Sequence, residues 1–465
     1  MDGAWWWLLL LGQGVSNAAS QTHARRSRMP MYGKIVPPPL ANANTTEGSH
    51  RARSKSLHRP SAALEEHANL AFSVVDACPV TYIYDLPQYW DFKVPLAKMD
   101  DLRKINQGKL CAEGVRDIDQ YSLLVRVIYR LKTSRRCKVT SDPKTADLFL
   151  VPLFPKPKSG KEFCKGFVVE DLESHLQYLT NETAHKHFIV LSKGHGWFSH
   201  CGRWWERPTG LLQKVIRVAY SLPWRGNKAR SGYGPVSANI QDLNEVAKAT
   251  GDFLNDSTAY PHLYSVPYPA SRELLGANKM LQSETVERPF LLHFGGGLHG
   301  QFGLDLRKKI IADCAMAGTT KCLIHYFRKR SDVCAALKAK TTSKFCFEPG
   351  GDSPYRKSLY DSISLGCIPI LLSPYQLLVS PWHLGHFRDA ATVYLDRDVF
   401  MRNEVNIFTY LEGLVSSGKY ARMKEIMSAR SHAVQYALQD HPGDAFERLL
   451  VGIKRASESY ENQTM

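Results

Sequence analysis

The sequence predicts an α/β protein built as two Rossmann-like lobes facing a central cleft, closed by a helical C-terminal segment. Three observations carry this. Short apolar strands alternate with helical periodicity between residues 80 and 191 and again from residue 288 onward, the pattern of parallel βα construction. A chain of 465 residues is too long for one compact core and suits two domains. Two glycine-rich loops follow predicted strands in the second half, where α/β proteins hold their ligands. With 44% apolar and 22% charged residues the composition is globular, which excludes a wholly disordered, collagen-like or many-spanning membrane chain.

Taken in order, residues 1–19 hold the apolar run Ala4 to Leu11, far shorter than the roughly 20 residues of a spanning helix. With small residues at Ser16, Ala18, Ala19 and Ser20 it reads as a signal peptide or a truncated anchor, and so as an entry to the secretory pathway. Residues 20–70 are basic, proline-bearing and without apolar periodicity, and read as a disordered stem. The first lobe occupies 71–287. Val80 to Tyr84 reads as a strand ended by Asp85-Leu86-Pro87, and Leu123, Leu124, Val127, Ile128 and Leu131 fall at helical spacing. Leu148 to Val151 is a buried-type strand, Phe167 to Leu179 a helix and His187 to Leu191 another strand, and a Pro/Gly/Asn-rich stretch from Ser221 to Ser271 wraps the lobe. The second lobe, 288–465, opens with the strand Arg288 to Phe294. The helix Gly303 to Ala317, the strand Cys322 to Phe327, a short strand Phe345 to Phe347, the helix Tyr355 to Leu365 and the strand Cys367 to Leu372 follow. From Asn403 to about Ala456 the pattern is mostly helical. This is the GT-B type of plan, and no internal repeat interrupts it.

The formal charge is +16, of which residues 71–465 keep +12, so the folded part draws anions: nucleic acid, acidic membrane, anionic polysaccharide or nucleotide phosphates. No dense Lys/Arg run or RNA-binding aromatic motif is present, so no nucleic-acid partner is expected. Ten cysteines without a CxxC pair argue against a zinc ribbon or thioredoxin-type site and fit lumenal disulfides, with the pairing left open. Sequons at Asn44, Asn181, Asn255 and Asn462 are compatible with the same compartment.

Gly295-Gly296-Gly297-Leu298-His299-Gly300 follows a strand and precedes a helix, as a loop must whose backbone N–H groups approach a diphosphate. The next strand ends without the acidic residue that would hold a nicotinamide ribose, so a dehydrogenase is disfavoured. Glu348-Pro349-Gly350-Gly351-Asp352-Ser353 follows the Phe345 strand and leads to Arg356 and Lys357 at a helix start, a phosphate-site composition, and Asp361 can accept hydrogen bonds from sugar or ribose hydroxyls. Arg307, on the helix after the first loop, is a further phosphate candidate. Two DxD triplets, Asp117 to Asp119 and Asp396 to Asp398, are short enough to arise by chance and give no metal assignment. His195 and His200 follow the His187 strand, with Trp197 as a stacking face. His195 is the first candidate for a general base and Asp85 the second; a structural histidine and a capping aspartate are the competing readings.

Val80 to Pro87, Thr140 to Pro152, His187 to Val190 and, above all, Ser343-Lys344-Phe345-Cys346-Phe347-Glu348-Pro349-Gly350-Gly351-Asp352-Ser353 with Arg356, Asp361 and Gly366-Cys367-Ile368-Pro369-Ile370 resemble successive blocks of the exostosin-type glycosyltransferases. The resemblance covers about residues 78–385, and the last block is similar to the family's donor site in its plant cell-wall branch, such as the xyloglucan galactosyltransferases. It implies a GT-B fold, inverting transfer from a UDP-sugar to a polysaccharide or glycan acceptor, no obligatory cofactor or metal, and a Golgi location with membrane association or a transferase complex. The block similar to the family's donor site holds Glu348, Gly350, Gly351, Asp352, Ser353, Arg356 and Asp361; from the residues themselves Gly295, Gly296, Gly297 and Arg307 are added as donor-binding candidates, with His195 or Asp85 as base. A non-catalytic glycan-binding protein and a metal-dependent GT-A-like transferase are the alternatives.

Overall fold

The computed structural model describes residues 77–86, 122–153, 169–191, 209–220, 262–270, 287–298, 303–326, 330–351, 356–377, 379–385 and 387–464. Two wholly parallel sheets with helices form the core, an α/β architecture. The first has the order β2-β1-β3-β4-β5-β6, with β1 Thr81–Ile83, β2 Val139–Thr140, β3 Leu148–Val151, β4 His187–Leu191, β5 Ile216–Ala219 and β6 Leu263–Ser265. Every residue of β3, β4 and β5 is buried, which explains why β3 and β4 read as unbroken apolar runs rather than alternating ones. The helices α1 (Leu123–Thr133) and α2 (Val169–His175) belong to this half.

The second sheet has the order β11-β10-β9-β7-β8, from β7 Phe290–Gly295, β8 Cys322–His325, β9 Ser343–Glu348, β10 Ile368–Leu371 and β11 Val393–Tyr394. Its connecting helices are α3 (Leu304–Ala317), α4 (Arg330–Thr342) and α5 (Lys357–Ser364). Pro369 lies inside β10 without breaking the ladder, because pairing with β11 begins only at Ile370 and the missing N–H is needed on one side at most. After it come α6 (Arg397–Met401), α7 (Ile407–Ser416), α8 (Lys419–Arg430) and the long α9 (Ala445–Thr464).

The chain end returns to the first half. Arg130 of α1, fully buried, donates from Nη1 to the Ala437 carbonyl and Asp444 Oδ2, both at 2.7 Å, and from Nη2 to Asp440 Oδ1 at 3.2 Å, under the ring of Phe446. Arg136 pairs with Glu447, and near the last turn of α9 Glu461 meets His185 at 2.7 Å, just ahead of β4. Disulfides Cys78–Cys137, Cys314–Cys322 and Cys346–Cys367 pin β1 to the β2 approach, α3 to β8, and β9 to β10, and no described cysteine is free.

His187, at the start of β4, is one such buried group with a fixed role. Its Nδ1 donates to the Thr183 carbonyl (2.8 Å), its Nε2 accepts the Tyr84 hydroxyl (2.9 Å), and Tyr84 in turn accepts the Tyr178 amide. Burial lowers the imidazole to about 4. A histidine held below its unfolded value stabilises the fold fully above about pH 6.5, and that contribution is lost as pH falls towards 4, because only the unfolded chain then takes up the proton. At pH 5 this single residue costs about 2 kcal/mol. Burial also lowers His262, to about 4, and His293, so urea unfolding at pH 7.5 and pH 5 should give a clearly lower midpoint in acid, and His187→Gln should narrow the difference without removing it; equal midpoints in the parent protein would remove the argument.

Candidate active site

In parallel sheets ligands gather beyond the carboxyl ends of the strands where the strand order reverses. In the second sheet the chain leaves β7 for β8 on one side and then crosses to β9 on the other, so the reversal lies between β7 and β9. The loops at that point are Gly295–Leu298 and Pro349–Gly351, the two glycine-rich segments of the sequence.

Arg307, buried in the first turns of α3, fastens these loops together. Its Nη1 donates to the Gly297 carbonyl at 2.6 Å and its Nη2 to the Gly350 carbonyl. Gly303, which caps α3, lies at φ +74°, and a Cβ there would stand 2.4 Å from the Pro349 carbonyl oxygen. Gly303→Ala is therefore expected to cost about 1–3 kcal/mol and to displace the Pro349 turn. Thermal unfolding reads the first effect; an unchanged midpoint would show that the close approach is not required.

The Pro349 turn is also held from below. Glu348, at the end of β9, is buried, and its Oε1 accepts Lys340 Nζ at 2.8 Å, Ser358 Oγ at 3.0 Å and Ser362 Oγ at 2.6 Å. Lys340, the last basic residue of α4, is equally buried and also reaches Ser358 Oγ at 3.0 Å. The Glu348 carbonyl accepts Gln376 Nε2 at 2.8 Å, while Gln376 Oε1 takes the amides of Leu372 and Ser373. Four elements thus fix one turn, and α5 starts immediately beyond it.

Arg356 stands at the N-cap of α5, and its side chain lies across Gly351: a Cβ at Gly351 would fall 1.9 Å from Arg356 Nη1. A side chain at Gly351 would meet the far end of Arg356, which would have to move aside. Asp361, one turn into α5 and buried, pairs with Lys357 Nζ. The arrangement can receive an anion between backbone N–H groups and Arg356, with Asp361 as a neighbouring acceptor.

Of the sequence-predicted residues, Gly295, Gly296 and Gly297 lie at and after the end of β7, Glu348, Gly350 and Gly351 at and after the end of β9, Arg307 in α3, Arg356 at the N-cap of α5 and Asp361 within it. Arg307 and Glu348 carry contacts that bind the loops together. Asp352, Ser353 and His195 lie outside the described residues, as do Trp197, His200 and the Asp117–Asp119 triplet. Asp85 is exposed and follows β1, where the first sheet's order reverses between β1 and β3. The second DxD triplet is a helix cap: Asp396 Oδ1 accepts the amides of Asp398 and Val399, and Arg397 pairs with Asp305 and Asp398. Among the described residues no group of three or more His, Cys, Asp or Glu side chains is set to hold a metal ion. Sequence reasoning missed Lys340, Gln376, Ser358, Ser362 and Gly303. Only Gly303, placed at the start of the predicted helix, offered a signal; the structure makes it the cap of α3.

The sequence matches the Exostosin GT47 domain family over residues 79–384. Among curated relatives it is similar to three Arabidopsis thaliana proteins named probable xyloglucan galactosyltransferases. GT17 is 23% identical over 79% of this chain and 81% of its own length, and GT20 is 28% identical over 77% and 61%. GT12 is 28% identical over 37% of this chain, spanning only 34% of that relative's length. Among solved structures, the pneumococcal O-GlcNAc transferase GtfA in complex with UDP and GlcNAc aligns with TM-score 0.32 and 12% identity over 63% of this chain and 59% of that one.

Proposed function

From the premise that the chain belongs to the exostosin GT47 family, we propose that it is a glycosyltransferase moving a sugar from a UDP-sugar to a hydroxyl of a xyloglucan-like polysaccharide, with inversion at the anomeric carbon. The observation that carries this reading is the pair of glycine loops that follow β7 and β9, fastened together by one buried arginine, with a second arginine lying over Gly351. Inverting transfer needs a base on the acceptor and compensation of charge on the departing UDP. The acceptor oxygen attacks C1, the bond from C1 to the phosphate oxygen breaks, and the electron pair leaves with UDP. Arg356 and the loop N–H groups offset that charge, the work a divalent ion does in metal-dependent transferases. Asp361 orients donor hydroxyls while sharing Lys357, and Arg307 and Glu348 keep the loops in register. His195, the first candidate, takes the acceptor proton, with Asp85 as the competing base.

The disulfides support folding in an oxidising lumen, and we assign the enzyme to the Golgi. Among the described residues no helix is long and apolar enough to cross a membrane.

UDP release by the purified chain, across a panel of UDP-sugars beginning with UDP-galactose and with xyloglucan oligosaccharides as acceptors, tests the reading. Acceptor-dependent release that survives EDTA is expected, and Arg356→Ala should lower turnover about 10²-fold or more. His195→Ala should abolish transfer with UDP still bound; if Asp85→Asn does so instead, the base is Asp85. Oligosaccharide binding without release across the whole panel would make the chain a glycan-binding protein, and loss in EDTA would make it metal-dependent.

A further inference from the structure

We infer that Asn181 carries an N-linked oligosaccharide on the edge of the first sheet opposite the catalytic one. The sequence offers four sequons, of which Asn181-Glu182-Thr183 is the one whose three side chains all lie within the described residues. It forms a protruding turn between α2 and β4, where Thr180, Asn181 and Glu182 are all exposed. The side-chain oxygen of Asn181 accepts Lys214 Nζ at 3.2 Å, while its Nδ2, the atom that bears the sugar, makes no hydrogen bond among the described residues. Glu182 at the middle position leaves the backbone without the proline that blocks the modification.

The direction of the sheet sets where the glycan stands. All six strands run parallel, so their amino ends share one edge and their carboxyl ends the other. Asn181 precedes His187, the first residue of β4, and Lys214 precedes β5; both belong to the amino edge. Asp85 follows β1 at the carboxyl edge. The five residues of β4 separate the two edges by roughly 16 Å, so a bulky, hydrated oligosaccharide at Asn181 leaves the carboxyl edge clear. In the folded turn the Thr183 hydroxyl is committed, donating to the Tyr178 carbonyl at 2.5 Å and accepting the Thr180 amide at 3.0 Å. The sequon is therefore read before this turn closes, during synthesis. Nδ2 attacks C1 of an oligosaccharide carried on a lipid diphosphate; the N–C1 bond forms, the bond from C1 to the phosphate oxygen breaks, the lipid diphosphate leaves with the electron pair, and the amide gives up one proton.

This inference rests on the lumenal part of the reading above, and the test separates the two. The full chain secreted from cultured mammalian cells, with a signal peptide supplied, is digested with and without peptide N-glycosidase and its peptides are mapped by mass. The peptide containing Asn181 should carry a hexose and N-acetylhexosamine mass that the enzyme removes, leaving aspartate. Asn181→Gln should lose one glycan step on a gel with UDP release unchanged. An unmodified Asn181 peptide beside a modified Asn44 or Asn255 would overturn the inference while leaving the lumenal reading intact. No glycan at any sequon would overturn the inference and count against the lumenal reading as well.

Discussion

Lys340→Met is expected to lower stability by about 3–5 kcal/mol, the cost of leaving the Glu348 carboxylate buried without its cation. The ammonium and the carboxylate are both almost fully enclosed and 2.8 Å apart, so water cannot take over when one partner is removed. Two serine hydroxyls would remain on Glu348 Oε1, which is too little for a full charge. Adding Glu348→Gln to the same chain should recover more than half of the loss, because a neutral amide is satisfied by Ser358 and Ser362. Urea unfolding of the two single variants and the double variant measures the coupling. A single-variant cost below about 1 kcal/mol would show that the pair is solvated. Because Glu348 begins the Pro349 turn, the KM for the UDP-sugar should rise in Lys340→Met while the acceptor KM stays near its parent value.

Arg130→Met is the second large effect, also about 3–5 kcal/mol, and it is non-local. The guanidinium satisfies the Ala437 carbonyl, Asp444 and Asp440 together, and Asp444 meanwhile caps the start of α9 by accepting the Phe446 and Glu447 amides. Methionine fills most of the volume yet leaves the buried Asp444 carboxylate with the Ala437, Phe446 and Glu447 amides and without its cation. Limited proteolysis should then cut near residues 437–444 at low protease concentration, where the parent resists. Resistance equal to the parent's would show that α9 is held without this contact.

These two residues also explain where the sequence was readable. Strands β3 and β4 stand at their predicted places because both faces are covered, so apolar runs declare them, and α1 shows its leucine spacing for the same reason. The glycine loops were legible from their position after strands. By contrast β2, β5 and β6 are two to four residues long, and α4, with its mixed polar composition, has no clear apolar stripe. β9 is six residues, twice the predicted length, since Ser343 and Lys344 pair with the sheet without looking like strand formers. Lys340 reads as a surface lysine in such a helix, and Arg130 as the polar flank of an amphipathic one. Their burial is decided by partners 8 and 314 residues away respectively, and no local pattern encodes that.

The separation between Arg130 and its acceptors has a consequence in time. At about 5–20 residues per second, the ribosome needs roughly 15–60 s after making Arg130 to deliver Asp444, which lies 314 residues later. Throughout that interval Arg130 lacks its native acceptors and stays hydrated, so α1 cannot be buried in its final form. The first half of the fold is thus made early and finished late, when residues 437–444 arrive to meet Arg130.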